Sequence, residues 1–366
     1  MRAVVLGGGL IGGVVADELS RDLEVTVADA DESKAGKFRD LSFLCADLSR
    51  EENIREAVKG ADVVVNALPG FMGFRALRAV IRAGIDVVDL SFMPEDPLVL
   101  DEEARAAGVT AVVDMGVAPG MSNLIVGHFS AVMKELDDVA ILVGGLPVVR
   151  QWPFEYGIVF SASDTIDEYV RPSRLIEHGS VVEKPALSDL ELVDFEGIGT
   201  LEAFNTDGLR TLLHTVKARA MREKTMRYPG HAEKMMMLRS AGFFDSNEID
   251  VRGQRIRPLD VAIRLFSERM RLKSEDITVM RVEATGGGER LRYDLYDRYD
   301  RNRGITSMAR VTGFPCAIVA GIVARGEYIK PGISPPEILG MDDGVFVNVM
   351  KELERRDVRF VYSEPR

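Results

Sequence analysis

The stretch that decides the fold is Met1–Gly13, which reads MRAVVLGGGLIGG. Three of its glycines have the G-x-G-x-x-G spacing of a dinucleotide-binding turn: Gly7, Gly9 and Gly12. The first glycine permits a tight turn after a strand, here the apolar run Ala3–Val5, and the second lets the backbone approach a pyrophosphate. The third lets the next helix pack closely on the sheet. The pyrophosphate is expected at the N–H groups that open this helix, beside Leu10 and Ile11.

The segments around the turn strengthen this interpretation, because glycine spacing alone is a weak signal in a chain with 34 glycines. Val14–Leu19 fits a helix with one apolar face, and Leu23–Ala28 reads as a second buried strand that ends at Asp29. An acid at this point of a dinucleotide fold accepts hydrogen bonds from the adenosine ribose hydroxyls, and its charge repels a 2′-phosphate. The sequence therefore predicts NAD as the cofactor, rather than NADP or a glycine-rich turn without a ligand.

Length and composition narrow the class of protein. A chain of 366 residues suggests about two domains, and 46% hydrophobic with 28% charged residues is typical of a soluble globular protein. A net charge of -12 argues against nucleic acid as a partner. Arg2 and the apolar residues after it resemble a short signal peptide, but the glycines within them argue against that interpretation. No run reaches the ~18 apolar residues of a membrane span.

Cysteine and histidine usage excludes further classes. Cys45 and Cys316 are the only cysteines and form no C-x-x-C motif, and the four histidines form no H-E-x-x-H pair. The sequence thus predicts neither a disulfide framework nor a bound metal, and it favours a cytoplasmic location.

The first third of the chain alternates strands with helices. After the first two strands, four more apolar segments are predicted as strands: Leu41–Ala46, Ala61–Leu68, Ile85–Leu90 and Val109–Asp114. Between them we predict helices at Ser33–Arg39, from about Glu51, at Phe74–Ala83 and at Asp101–Ala107. This alternation predicts an α/β fold with a Rossmann-type doubly wound parallel sheet.

The carboxyl ends of these strands meet at the ligand crevice of such a sheet. Asp47 and Leu48 follow the third strand and are predicted to contact the adenine, although Asp47 fits equally well as a helix N-cap. The nicotinamide half is predicted to contact residues that follow the fourth, fifth and sixth strands: Asn66, Ala67, Leu68, Pro69, Ser91, Gly116, Val117 and Pro119.

Beyond Pro119 the pattern changes to a helix at Asn123–Lys134 and then to alternating strands. The predicted strands are Val139–Val143, Tyr156–Phe160, Ile277–Ala284 and Arg290–Tyr296, with turns at Gly144, Gly145 and Pro147 and at Gly286–Gly288. They predict a second α+β domain with a largely antiparallel sheet. Buried helices from Thr306 are expected to rejoin the first domain, so residues 1–120 and 306–366 would form a discontinuous nucleotide domain and residues 121–305 the substrate and oligomerisation domain.

Motifs spread along nearly the whole chain resemble the saccharopine dehydrogenase family. They read GGGLIG, NALPG, SFMPEDP, GVAPGMSN, DEYVRP, NTDGLRTL, RYPGH, RVTGFPCAI and PPEILG. The likeness is greatest to members that oxidise the ε-amine of L-lysine with NAD, releasing ammonia and giving 1-piperideine-6-carboxylate. Saccharopine-forming members typically have an aspartate in a GLDPG turn and a tyrosine in an SY turn, where this chain has Ala118 and Phe92.

Amine oxidation needs a group that removes a proton from the substrate ammonium, whose pKa is near 10.4. Four side chains are candidates for this base, with His231 and Glu155 ranked first: Asp89, Glu95, Glu155 and His231. His231 fits equally well as a structural residue at a helix start. The resemblance places the substrate α-carboxylate on Arg210 of NTDGLR, with Arg171 second, because a planar guanidinium suits a carboxylate. Phe92 and Tyr169 are further predicted substrate contacts.

Other functions remain open at this level. The alternatives are a saccharopine or carboxynorspermidine dehydrogenase-type reductase, and a non-catalytic NAD-binding protein. The family resemblance also implies a small amino-acid substrate and a homodimer or homotetramer.

Overall fold

The computed structural model describes residues 1–365 and contains two compact units. The first comprises Met1–Val132, His214–Val216 and Ala309–Arg359, and the second comprises Met133–Leu213, Lys217–Met308 and the chain from Phe360 onward. The segment Met121–Val132 belongs to the first unit, although the sequence predicted residues 121–305 as the second domain. The final strand likewise belongs to the second unit rather than the first.

The first unit is built on a seven-stranded parallel sheet. Its strands are β1 (Arg2–Leu6), β2 (Glu24–Asp29), β3 (Ser42–Cys45), β4 (Val63–Asn66), β5 (Asp86–Asp89), β6 (Thr110–Val112) and β17 (Gly332–Ser334). Their order, β3-β2-β1-β4-β5-β6-β17, contains the 3-2-1-4-5-6 arrangement of a doubly wound dinucleotide fold. The predicted α/β class and parallel sheet are therefore confirmed.

Helices cover this sheet. They are α1 (Leu10–Leu19), α2 (Glu51–Ala57), α3 (Gly70–Arg82), α4 (Asp101–Ala107), α5 (Met121–Val132), α10 (Ser307–Ala324), α11 (Pro336–Gly340) and α12 (Asp343–Glu354). The helix predicted at Ser33–Arg39 is a 3-10 helix at Glu32–Lys37, and a second 3-10 helix spans Pro97–Leu100. By length and composition α10 is apolar enough to cross a membrane, but 89% of it is buried in the protein, which is typical of a core helix.

The strands of this sheet have continuous rather than alternating apolar runs because both of its faces are buried. Val63–Val65 in β4 and Val87–Val88 in β5 have no exposed surface, and Leu77 and Val80 of α3 pack in the same core. This core holds the carboxyl ends of the strands in fixed positions.

The second unit is built on a nine-stranded mixed sheet. Its strands are β7 (Asp138–Pro147), β8 (Ser173–Glu177), β9 (Ser180–Lys184), β10 (Glu191–Phe195), β11 (Gly199–Asn205), β12 (Ala220–Arg227), β15 (Asp276–Gly286), β16 (Glu289–Arg298) and β18 (Phe360–Ser363). Only β7 and β12 pair in parallel, so the predicted largely antiparallel sheet is confirmed. A separate hairpin joins β13 (Ile249–Val251) to β14 (Gln254–Ile256).

The helices of the second unit are α6 (Ala162–Val170), α8 (His231–Ser240) and α9 (Pro258–Arg269), and the short α7 (Leu212–Thr215) lies where the two units divide. They bury an aromatic cluster that includes Tyr156, Tyr169 and Phe204. Two residues predicted to act on substrate lie in this cluster: Tyr169 is one of its members, and His231 contacts the rings of Tyr156 and Tyr169.

Two sequence predictions for the second unit are wrong. Tyr156–Phe160 is not a strand, because its only ladder contact is an isolated bridge between Ile158 and Arg271. Gly144, Gly145 and Pro147 do not form a turn but lie inside β7. Gly144 is required there by close packing, since a Cβ atom on it would lie 2.7 Å from the Met226 carbonyl oxygen.

Candidate functional site

The glycine turn between β1 and α1 has the geometry that a bound dinucleotide needs. Gly7 has a φ of +101°, and a Cβ atom on it would lie 2.7 Å from the Ala67 carbonyl oxygen. A Cβ atom on Gly12 would lie 1.9 Å from the Gly7 carbonyl oxygen, so only glycine lets α1 approach the strand this closely. Apart from its own chain neighbours, Gly9 has no atom of residues 1–365 within 4 Å of its Cβ position, which leaves space for a pyrophosphate at the start of α1, next to the exposed Leu10.

Asp29 lies at the end of β2 and faces this turn. Its Oδ2 accepts hydrogen bonds from the Gly8 N–H (2.7 Å) and the Lys34 ammonium (2.8 Å), and its Oδ1 accepts one from the Asp31 N–H (2.9 Å). Burial raises the pKa of Asp29, but the bonds from Lys34, Asp31 and Gly8 outweigh burial and lower it overall. Lys34 was not singled out from the sequence, because its contact with Asp29 depends on the path of the 3-10 helix rather than on a local pattern.

Of the two residues predicted to contact the adenine, Asp47 is exposed and Leu48 is buried. Asp47 is exposed and accepts hydrogen bonds from the Ser49 N–H (3.0 Å) and the Ser49 hydroxyl (2.6 Å). Arg50 occupies the N-cap position of α2, so the alternative role of Asp47 as that N-cap is wrong. Leu48 is 4% exposed and its side chain packs in the core, which leaves its main chain for contact with a ligand.

Beside the switch point, which lies between β1 and β4, Asn66 at the end of β4 pairs with Asp89 at the end of β5. Asn66 Nδ2 donates hydrogen bonds to the Gly73 carbonyl (3.1 Å) and to the Asp89 carboxylate. The Asn66 Oδ1 atom is buried without a hydrogen-bond partner among residues 1–365. Such an atom fits an amide donor of a ligand, and the nicotinamide carboxamide carries one.

Asp89 is fully buried, and its carboxylate is used within the protein. Its Oδ1 accepts hydrogen bonds from the Ser91 N–H (2.9 Å) and the Ser91 hydroxyl (2.8 Å). Burial and the charge of Asp114 raise the pKa of Asp89 to about 8, against the opposing hydrogen bonds from Ser91 and Asn66. The bonding of Asp89 fixes the turn after β5 that carries Ser91 and Phe92, and its role as a base toward substrate stays a prediction.

The start of α3 packs directly against that turn. A Cβ atom on Gly70 would lie 2.3 Å from the Phe92 carbonyl oxygen, and one on Gly73 would lie 2.0 Å from the Ser91 hydroxyl. Phe92 is partly buried, whereas Glu95 and Pro69 are exposed. The neighbouring loop after β6 is equally compact, since the Gly116 N–H donates to the Pro119 carbonyl (3.1 Å) and the Met121 N–H to the Gly116 carbonyl (2.9 Å).

In the second unit, His231 begins α8 and is completely buried. Its Nδ1 lies 2.7 Å from the Phe154 carbonyl oxygen and its Nε2 lies 2.9 Å from the Tyr169 hydroxyl. Burial and the nearby Arg227 guanidinium lower the pKa of His231 to about 3, so the ring is neutral, with Nδ1–H donating and Nε2 accepting. Both ring nitrogens are thus occupied in bonds to Phe154 and Tyr169, and the role of His231 as a base stays a prediction.

Arg227 at the end of β12 joins the same cluster. Its guanidinium lies 4.3 Å from the centre of the Tyr156 ring, and its Nη2 lies 2.7 Å from Glu168 Oε2 on α6. Burial raises the pKa of Glu168, and the Arg227 charge opposes that shift. Sequence reasoning missed both residues, although a charged residue on the buried strand β12 was an available signal.

Glu155 lies between two anchored neighbours. The Phe154 carbonyl is bonded by His231, and the Tyr156 ring is covered by Arg227. Glu155 has a φ of +55°, a conformation that costs a non-glycine residue about 1 kcal/mol. Its side chain is partly exposed, and its carboxylate has no hydrogen-bond or ion-pair partner among residues 1–365. Backbone strain held by rigid neighbours is typical of functional positions.

The structure brings Ser173 and Arg174, which directly follow the DEYVRP segment, against the NTDGLR segment. The Ser173 hydroxyl donates to the Thr206 carbonyl (2.8 Å), and Arg174 donates to both carboxylate oxygens of Asp207 (2.9 and 2.7 Å). Glu223, which sequence reasoning also missed, accepts from the Thr206 hydroxyl (2.6 Å), and burial raises its pKa to about 8.

The two predicted substrate arginines lie in these fixed segments. Arg210 is 4% exposed with a φ of +53°, and Arg171 follows α6 with its Nη2 2.9 Å from Asp167 Oδ2. Their contact with a substrate carboxylate stays a prediction.

Comparisons with known proteins match both units. Residues 3–112 match the family model for the saccharopine dehydrogenase NADP binding domain, and residues 116–358 match that for the saccharopine dehydrogenase C-terminal domain. A saccharopine dehydrogenase [NADP(+), L-glutamate-forming] of Schizosaccharomyces pombe is 21% identical, with 99% of each chain covered. An alpha-aminoadipic semialdehyde synthase of Arabidopsis thaliana is 26% identical over 65% of this chain, which spans only 24% of that longer relative. The apo saccharopine dehydrogenase (L-Glu forming) of Saccharomyces cerevisiae has the same fold, with a TM-score of 0.79, 18% identity and full coverage of both chains.

Proposed function

Because the chain belongs to the saccharopine dehydrogenase family, we propose that it is an NAD-dependent L-lysine 6-dehydrogenase. The reaction would oxidise the ε-carbon of L-lysine, and loss of ammonia with ring closure would give 1-piperideine-6-carboxylate and NADH. The family membership supports an oxidoreductase, and the finer choice of lysine rests on this chain's own residues.

The choice of lysine rests on the identity of one residue in each of two turns of the first unit. Phe92 follows β5 and Ala118 follows β6, where saccharopine-forming members typically have a tyrosine and an aspartate. Neither phenyl nor methyl side chains can donate or accept the protons that joining two substrates requires. Oxidation of one primary amine joins no second substrate, so it does not require proton-transferring side chains at these two positions.

The cofactor supplies hydride acceptance when it is bound, and the first unit would hold it. The Gly7–Gly12 turn would bind the pyrophosphate, and Asp29 would bind the adenosine ribose. Asn66 and the Gly116–Pro119 loop would bind the nicotinamide half. The buried, unpartnered Asn66 Oδ1 supports that assignment.

The proton to be removed belongs to the substrate ammonium, and we assign its removal to Glu155. Among the four candidate bases, Glu155 combines a partly exposed carboxylate with strained, anchored backbone. Asp89 and His231 are fully buried and already bonded, and Glu95 is exposed on backbone without a positive φ. His231 and Arg227 act as positioning residues, because they hold the residues on each side of Glu155. Arg210 would bind the α-carboxylate of lysine.

The test compares lysine, saccharopine, ornithine and polyamines as substrates with NAD at alkaline pH, following NADH absorbance. We expect turnover with lysine and release of ammonia. Turnover with saccharopine and release of glutamate would instead assign the saccharopine reaction, and no turnover with any of them would favour a non-catalytic NAD-binding protein.

The role of Glu155 has its own test. Glu155→Gln should lower kcat about 100-fold or more, as loss of a general base does, while the Kd for NADH stays unchanged. Glu183→Gln, at an exposed position on β9, is the matched control and should keep full activity. An unchanged kcat in Glu155→Gln would remove this residue from the mechanism.

A further inference from the structure

The prediction of NAD rather than NADP rested on the negative charge of Asp29. In the structure this charge is paired with a lysine, which changes the prediction of which nucleotide can bind. The Lys34 ammonium lies 2.8 Å from Asp29 Oδ2. The Lys34 side chain is 27% exposed and that of Asp29 is 11% exposed, so the pair lies at the surface of the ribose end, within reach of a ligand.

We propose that this pair makes the ribose site able to bind NADP(H) as well as NAD(H), and that Lys34 is the residue that binds the 2′-phosphate. The inference rests on the proposed function only in assuming that a dinucleotide binds at the Gly7–Gly12 turn. It does not depend on the amine substrate.

The first step is the bonding capacity of the carboxylate. A carboxylate has about four acceptor positions, and Asp29 already uses three, for the N–H groups of Gly8 and Asp31 and for Lys34. One position is left, whereas two ribose hydroxyls need two. Binding of both hydroxyls of NAD therefore requires Lys34 to leave the carboxylate.

The second step is charge. An isolated Asp29 carboxylate would repel a 2′-phosphate, but the adjacent ammonium neutralises that carboxylate and supplies three N–H donors. With NADP, Lys34 would turn from Asp29 to the phosphate, and the remaining acceptor of Asp29 would serve the 3′-hydroxyl. With NAD, Lys34 contributes no attraction and competes with the ribose for the same oxygen.

The experiment measures Kd for NADH and NADPH with the full-length protein, by the fluorescence change of each reduced nucleotide on binding. The wild type should bind both. Lys34→Ala should weaken NADPH binding by about 10-fold to 100-fold, the effect of one lost charged hydrogen bond, and leave NADH binding equal or slightly tighter. Lys34→Arg should retain NADPH binding.

Lys37→Ala is the matched control, because Lys37 lies on the same 3-10 helix and is exposed. Its Kd values should equal those of the wild type. The proposal is overturned if the wild type binds NADH but not NADPH, if Lys34→Ala weakens both nucleotides alike, or if Lys37→Ala weakens NADPH as much as Lys34→Ala does. Failure to bind either nucleotide would instead overturn the proposed function.

Discussion

Replacing Asp89 with asparagine should remove a pH-dependent loss of stability from the first unit. Asp89 is fully buried at the end of β5, and burial raises its pKa from 3.8 to about 8. The folded protein therefore binds this proton more tightly than the unfolded chain does. Between these two pKa values the unfolded chain loses the proton first, so the free energy of unfolding falls as pH rises.

The size of the effect follows from the two pKa values. The slope is about 1.4 kcal/mol per pH unit, and it flattens near pH 8 where folded Asp89 begins to ionise. From pH 5 to pH 8 the wild type should lose about 3 to 4 kcal/mol that Asp89→Asn does not lose. With a urea dependence of about 3 kcal/mol per M, the difference between their urea midpoints should change by about 1 M.

The assay is urea unfolding at pH 5, 6, 7 and 8, followed by far-UV circular dichroism. Pulsed hydrogen exchange of peptides from β1 and β4 assigns the transition to the first unit. The amide alters the bonds to Asn66 and Ser91 by an amount that does not change with pH, so only the drift with pH is diagnostic. Asp86→Asn, on the same strand but half-buried, should show a smaller drift. A difference that stays constant from pH 5 to pH 8 would refute the reasoning.

Three further substitutions test other contacts. Gly12→Ala should abolish NADH binding measured by fluorescence, because its Cβ atom would lie 1.9 Å from a main-chain oxygen, whereas Gly13→Ala has space and should bind normally. Tyr169→Phe leaves the buried Nε2 of His231 without a donor and should cost about 1 to 3 kcal/mol, seen as a lower Tm; an unchanged Tm would contradict that bond. Arg210→Lys should raise the KM for lysine about 10-fold with little change in kcat, since the planar two-point clamp is lost, and a rise of less than twofold would exclude the clamp.

The amino-acid sequence by itself determined the first unit. Its central strands are continuous apolar runs, the helices before its fifth and sixth strands are followed by Gly84 and Gly108, and the turn glycines have one spacing. All of these signals are local. The central strands of a parallel sheet leave such signals in the sequence because both of their faces meet an apolar environment. The predicted order of strands and helices could therefore be read without tertiary information.

The tertiary structure alone decided the roles of the polar residues. His231 and Tyr169 are distant in sequence, as are Arg227 and Glu168, and their bonds form only because α6, α8 and β12 pack together. Burial then set the protonation of His231, which no local pattern encodes.

The nucleotide-binding turn shows both what the sequence could predict and what it could not. The glycines and Asp29 were identified from spacing, because a nucleotide turn constrains the backbone within a few residues. Lys34 was not, because its contact with Asp29 depends on the path of an irregular 3-10 helix. The sequence therefore predicted where a dinucleotide binds, and the side-chain contacts of the folded chain decide how its ribose is recognised.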